Sequence, residues 1–147
     1  MNWKVPVYDL KLTSKERDVV LNVLKSNWLT SGPKTIEFEQ KFQNLFGKKI
    51  YAVALSSATA ALHLSLILAD VGKNDEVILP SMTFVSCANV IIHLKAKPVF
   101  ADISGANDWT ISPDDIEKKI TSKTKAIMLV HFAGYSCDME KIIKIAK

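Results

Sequence analysis

The chain has 147 residues, 48% of them hydrophobic, and a net charge of +4. That length and composition suit one domain with a sizeable core and exclude wholesale disorder. The charge does not read as a nucleic-acid footprint: Arg17 is the only arginine, and the lysines are spread out, densest in the pairs at 48–49 and 118–119. No apolar run approaches the ~18 residues of a membrane span. The opening "MNWKVPVYDLKL" has no signal-peptide core, so a cytoplasmic location is expected. Cys87 and Cys137 read as two reduced thiols. His63, His93 and His131 are scattered, and no metal site is expected.

The first predicted helix opens at Thr13 as N-cap, with Glu16 three residues on completing a capping box. Val19, Val20, Val23 and Leu24 follow at helical spacing. "WLTSGPK" is a loop broken by Gly32 and Pro33. A second helix is expected over about 35–46, with Gly47 placed to end it. "IYAVAL", residues 50–55, has the unbroken apolar character of a strand buried on both faces. A helix over about 59–68 comes next. "DEVILP" reads as a strand, "SMTFVSCANVIIHL" as loop then helix, and "KPVFADI" as a strand. Ser112 as N-cap, Pro113 at the first helical position and Asp115 at the third mark another helix start. "KAIMLVHF" is a fourth strand, and "DMEKIIKIAK" begins a last helix.

Two helices followed by four strand–helix units predict an α/β fold: three layers, αβα, around a mostly parallel sheet. The last helix reaches Lys147 with no capping glycine and no returning strand, so the fold is expected to be incomplete at the C-terminus.

"LSSATAALHL", residues 55–64, concentrates hydroxyls and small side chains between a strand-like and a helix-like run. Ligands of open α/β sheets bind beyond the carboxyl ends of the strands. A helix start there offers unpaired N–H groups at the positive end of the dipole, and alanine lets an anion approach the backbone. The stretch suits a phosphate cradle, and equally a plain Ser-capped helix. The next strand ends in "PSMTFVS" at the same edge, where Phe84 could cover a flat ring or fill the core; by itself the sequence favours the core. His131, at the end of the fourth strand, could serve a substrate, though a hydrogen-bonded loop histidine is the simpler reading. His63 reads as packing.

"WLTSGPKTIEFEQKF", "YAVALSSATAALHLSL", "DEVILPSMTFVSCANVI", "AKPVFADI" and "TKAIMLVHFAGYSCDME" stand in the order and spacing of the DegT/DnrJ/StrS-type sugar aminotransferases, which the chain resembles over essentially its whole length. The resemblance implies the PLP-transferase (aspartate aminotransferase-like) fold type I and the cofactor pyridoxal 5'-phosphate (PLP). Residues 1–147 would be the N-terminal part of its PLP-binding large domain. Residues ~1–48 would carry helices and an active-site loop, and ~49–147 the repeated β-α units. Ser57, Ala58 and Thr59 would hold the PLP phosphate, and Phe84 would stack on the pyridine ring. The loop carrying Thr30, Ser31 and Gly32 would lie near the substrate. Such enzymes transfer an amino group from glutamate to a keto group of a nucleotide-linked sugar, in the service of cell-surface polysaccharides, and act as homodimers. Neither nucleic acid nor membrane is an implied partner.

Two positions depart from the family pattern. Ala58 replaces a frequent glycine, which would cost roughly 1 kcal/mol if its φ had to be positive. Asn74 replaces a glycine before "DEV", a turn variation. The family's pyridinium-binding Asp and Schiff-base Lys fall after the matched segment, so no catalytic residue is assigned and the chain alone is expected to be inactive. Lys97 and Lys125 immediately precede strands at the wrong edge of the sheet, and Asp102 reads as a loop residue. A histidine in place of that lysine would make the protein a sugar dehydratase. A non-catalytic phosphate-binding module is the other alternative.

Overall fold

Two units make up the chain, Met1–Ala54 and Leu55–Lys147, in a computed structural model that describes residues 10–47 and 49–147. The opening residues 1–9, read above for a signal sequence, and Lys48 of the first lysine pair lie outside the described residues.

In the first unit, α1 (Ser14–Lys25) starts at the expected capping box: the Thr13 side chain accepts from Lys15 N–H, and the Glu16 carboxylate accepts from Thr13 N–H at 2.7 Å. Helix α2 (Pro33–Phe46) begins two residues before its predicted start. Pro33 explains the difference, since its ring presets a helical φ where no N–H is required. Gly47, at φ 100°, ends it. Phe38, Phe42 and Phe46 stack along α2 with ring centroids 6.2 and 5.1 Å apart, each about half exposed. Residues 50–55, expected as a buried strand, form no strand: they are unpaired, and Tyr51 and Val53 are exposed. Apolar, β-branched composition supplies a preference for extended backbone, but a strand also needs a neighbour for its N–H and C=O groups. Ile50 N–H donates back to Gly47 C=O at 3.3 Å, and Ala54 N–H donates to the Glu39 carboxylate at 2.8 Å.

The second unit is built on β1 (Glu76–Pro80), flanked in parallel by β2 (Lys97–Ala101) and β5 (Thr124–Ile127), in the order β2-β1-β5. Every residue of β1 is buried. Val77 and Leu79 enter a cluster with Leu66 of α3 (Ala58–Leu68) and with Val90 and Ile91 of α4 (Ser86–His93). Ile78, on the opposite face, packs with Ile116 of α5 (Pro113–Lys119) and Ile142 of α6 (Met139–Ala146). The period-2 alternation of one strand thus divides two cores and makes three αβα layers. The sheet has three parallel strands where four were expected. Its β5 is also shorter than the apolar run that predicted it, although Met128 N–H still reaches Ile78 C=O at 2.7 Å. An antiparallel pair, β3 (Ile103–Gly105) and β4 (Asp108–Ile111), was not anticipated. Among the described residues no helix is long and apolar enough to cross a membrane.

Helix ends in this unit use non-glycine residues in left-handed backbone. Asp70 (φ 55°) follows α3 and Lys95 (φ 60°) follows α4. Each donates back into its helix, Asp70 N–H to Ile67 C=O and Lys95 N–H to Ile92 C=O, both at 2.9 Å. Asn74 (φ 75°) occupies the same region, so the departure from glycine noted there falls where glycine is free and asparagine is tolerated. Lysine has no side-chain device to offset the left-handed clash, so Lys95→Gly is expected to raise stability by about 1 kcal/mol in urea unfolding, and more than Asn74→Gly does.

Glu76 is a carboxylate only 7% exposed. It accepts from Thr121 Oγ1 at 2.7 Å and from Lys97 Nζ at 2.9 Å, joining β1 to β2 and to the turn before β5. The Thr121 hydroxyl first, then the Lys97 ammonium, hold its pKa below the ordinary 4.5. A depressed carboxylate pKa contributes stability above the unfolded value and loses it as pH falls through the folded one. The thermal midpoint of Glu76→Gln should therefore lie below that of the parent at about pH 7, and the gap should close toward about pH 3.

Candidate functional site

An ion pair fixes the direction of α3. Lys125, on β5, lies 3.6 Å from Asp70 just past the end of α3, which places the helix C-terminus at the amino edge of the sheet. The N-terminus of α3 therefore faces the carboxyl edge, where open α/β sheets bind ligands. Ser57 is its N-cap, in extended backbone, with its Oγ accepting from Ala60 N–H at 3.2 Å. Its carbonyl accepts from Ala61 N–H, also at 3.2 Å. By helix geometry the N–H groups of Ala58 and Thr59 have no intrahelical acceptor. Residues 56–59 are all exposed, so these donors face solvent. The first turn of α3 holds no acidic residue, unlike those of α1, α5 and α6, so no carboxylate competes for the positive helix end. Ala58 is absent from the positive-φ residues, so alanine in place of glycine carries no backbone penalty here.

The segment after β1 runs out at the same edge. Ser81 N–H donates to Ala101 C=O at 2.8 Å, holding the start of the segment against β2. The Thr83 hydroxyl donates to Cys87 Sγ at 3.1 Å, tying it to α4. Phe84 is 74% exposed, which corrects the core reading that its apolar ring favoured in the sequence. Its backbone is committed to α4, with Cys87 N–H donating to Phe84 C=O at 3.0 Å, and this leaves the ring outside both clusters. His131 follows β5. Its Nδ1 accepts from Cys137 N–H at 3.1 Å, which puts the ring proton on Nε2 in the neutral form. The loop reading and the substrate reading of this histidine are therefore compatible: one nitrogen is structural and the other is a donor.

Thr30, Ser31 and Gly32 belong to the first unit, and Ser57, Ala58, Thr59, Phe84 and His131 to the second. Within the first unit, Trp28 Nε1–H donates to Ser31 C=O at 3.1 Å and closes the turn. A Cβ on Gly32 would come within 2.0 Å of the Trp28 ring, so any larger residue there displaces that ring. The turn borders a cavity of about 450 Å³ that also takes in Asn22, Val23 and Thr35.

The lysines weighed as Schiff-base candidates stay at the amino edge. Lys97 is the first residue of β2 and Lys125 lies within β5, so both sit inside strands rather than before them. Asp102 ties its segment to α5 through its N–H to the Asp115 carboxylate, 2.7 Å, and its C=O from Ser112 N–H, 2.9 Å. His63 and His93 meet edge to face with centroids 6.1 Å apart. Both cysteines are free and buried, and no group of three metal-ligating side chains exists among the described residues. The sequence reading missed the aromatic surface made by Trp109, which sits edge to face with Phe132 at 5.6 Å. The turn of its hairpin is Ala106–Asn107, which lacks the Asn-Gly or Asp-Gly pair that marks a two-residue hairpin in a sequence.

The same architecture occurs in solved enzymes. Spr1654 from Streptococcus pneumoniae, described as a sugar aminotransferase and solved in PMP, apo and PLP forms, matches at a TM-score of 0.86 and 38% identity. Its PLP form covers 97% of this chain and 36% of that one. The fold is thus that of the PLP-dependent aminotransferases. Residues 11–147 match the DegT/DnrJ/EryC1/StrS aminotransferase family, and the chain belongs to it. GDP-perosamine synthase of Escherichia coli O157:H7 is 44% identical over 146 residues, 97% of this chain and 39% of that protein. The spore coat polysaccharide biosynthesis protein SpsC of Bacillus subtilis (strain 168) is 47% identical over 141 residues, 95% and 36% of the two. The chain thus spans between a third and two fifths of the relatives it matches.

Because Ser57 Oγ caps α3, Ser57→Ala is expected to cost about 1 kcal/mol in chemical unfolding, whereas Ser57→Asp should keep the cap and the stability.

Proposed function

We propose that this chain is the N-terminal part of the PLP-binding large domain of a sugar aminotransferase. The enzyme would move an amino group from glutamate to a keto group of a nucleotide-linked sugar. The observation that carries the reading is the α3 terminus: unpaired N–H groups, serine and threonine hydroxyls and no acid, exposed at the carboxyl edge of the sheet.

The residues fit the phosphate of PLP. Ala58 and Thr59 N–H groups would donate to its oxygens, with the Ser57 and Thr59 hydroxyls adding further donors. Phe84, already outside the core, would cover one face of the ring and keep water from it. His131 would offer its Nε2–H to a substrate hydroxyl or carboxylate, with the Cys137 amide holding the imidazole in that tautomer. Thr30, Ser31 and Gly32 would border the substrate entrance. Bound PLP would supply the electron sink for charge developing at the amino-bearing carbon. We assign no proton-transferring lysine among the lysines placed above. Lys97 and Lys125 lie near the starts of β2 and β5, at the amino edge, and the chain alone is expected not to transaminate. The assembled enzyme is proposed to be a cytoplasmic homodimer serving polysaccharide synthesis.

The test is a titration of the purified chain with pyridoxal phosphate and with pyridoxal. Wild type should prefer the phosphorylated form. Ser57→Asp, which preserves the cap but places a negative charge at the turn, should weaken pyridoxal phosphate at least about tenfold, or ~1.4 kcal/mol. Equal affinity for the two compounds, or no effect of the aspartate, would sink the reading.

A further inference from the structure

One residue closes the loop between β5 and α6. Cys137 is 3% exposed and belongs to the core that holds Ile78 and Ile142. Its Sγ–H donates to Val130 C=O at 3.3 Å, and its N–H donates to His131 Nδ1 at 3.1 Å. Inside the loop, Gly134 N–H donates to His131 C=O and Tyr135 N–H to Phe132 C=O, both at 3.0 Å. The turn between them uses two successive left-handed residues, Ala133 at φ 51° and Gly134 at φ 84°. Alanine meets a Cβ clash there that glycine avoids, so closure of the loop, and not local preference, holds Ala133 in place.

The two closing bonds differ in what can undo them. The acceptor at Val130 is a carbonyl, which does not titrate. The acceptor at His131 is the Nδ1 lone pair, which exists only in the neutral imidazole. His131 is exposed, so solvent can deliver a proton to that nitrogen. The imidazolium carries a hydrogen on both nitrogens, and Nδ1–H would then face Cys137 N–H, donor against donor. Among the described residues Cys137 N–H has no second acceptor, and it belongs to a buried residue. A buried N–H left unpaired is unfavourable, so the loop must move until that group reaches water or another carbonyl.

The charged groups on the surrounding elements have other partners. Asp138 and Lys141, at the start of α6, pair with each other at 3.1 Å, and Asp114 of α5 acts on the same lysine. Asp115 of α5 pairs with Lys119, and Asp108 of β4 accepts from Thr110. Glu140 lies on the exposed first turn of α6, Tyr135 is neutral, and β1 ends without an ionisable residue. Among the described residues no carboxylate pairs with the His131 ring.

We propose that the His131–Cys137 hydrogen bond is a pH-operated latch. It is closed while the imidazole is neutral, and it opens when Nδ1 takes up a proton from solvent, which frees the β5–α6 loop. The latch stands on the geometry of this loop and does not require the aminotransferase reading. It adds a condition to that reading: only the latched form presents a fixed Nε2–H at the carboxyl edge of the sheet.

The test is NMR on the purified, nitrogen-15-labelled chain from about pH 8 to about pH 5, the range over which imidazole gains its proton. The His131 ring nitrogens report protonation, and the Cys137 amide reports the latch through its shift and its exchange protection. The Cys137 shift should follow the His131 titration, and its protection, corrected for the intrinsic pH dependence of exchange, should fall at least about tenfold. The Ala61 amide, bonded to Ser57 C=O in α3, should keep its protection throughout. His131→Asn places Oδ1 where Nδ1 was, an acceptor that does not titrate, so Cys137 should stay protected at both ends of the range. His131→Ala should leave it unprotected at both. His63→Gln with His93→Gln should not alter the response. Cys137 protection unchanged through the His131 titration would overturn the latch, as would pH dependence surviving in His131→Asn. Loss of protection at Cys137 and Ala61 together would also overturn it, since that is unfolding of the whole unit.

Discussion

The burial of β1 on both faces governs the second unit. Val77 and Leu79 serve one core, Ile78 the other, and all three are fully buried. One strand therefore sets where α3 and α4 lie on one side and α5 and α6 on the other. It also sets the edges. With β2 and β5 parallel to it, all three strands point their carboxyl ends the same way, and the segments that follow leave at one rim of the second unit. Phe84 and His131 come from separate parts of the sequence and share that rim because the strands they follow share a direction; the turn before α3 reaches it through the packing of α3 on β1. The opposite rim is occupied by the Glu76 network, which joins neighbouring strand starts through one buried carboxylate.

What could be read from the sequence was what local chemistry decides. Thr13 with Glu16, Ser57, and Ser112 with Pro113 and Asp115 are caps whose bonds span two or three residues, and each appears in the structure. The alternation of helix and strand likewise carried the fold class. What could not be read depended on distant partners. Residues 50–55 have strand composition, yet pairing is a property of two segments, and no described segment pairs with them. Phe84 resembles a core residue because its ring is apolar; only the course of the backbone after Pro80 shows that it faces solvent. The opposite holds for Ala58 and Asn74. Both replace an expected glycine, but only Asn74 has a positive φ, and the residue types agree with this, since asparagine tolerates left-handed backbone and alanine does not.

Specificity and scaffold are also segregated. The residues proposed for the cofactor phosphate would act mainly through backbone N–H groups, which any small side chain permits. His131, proposed for the substrate, would act through the free nitrogen of a side chain on a loop. A scaffold arranged this way can exchange one substrate for another while keeping its cofactor chemistry.

The parallel arrangement has a kinetic consequence. Glu76 meets Lys97 across 21 residues and Thr121 across 45, and the ladder of β1 closes only after both loops have closed. Helices α3 to α6 and the β3–β4 hairpin form from neighbours in sequence, whereas the central strand must wait for two remote partners. Until then "VIL" at 77–79, the most apolar part of the sheet, has no cover on either face and an open edge on both sides. This makes the central strand the point at which the nascent chain is most exposed to mispairing with other chains.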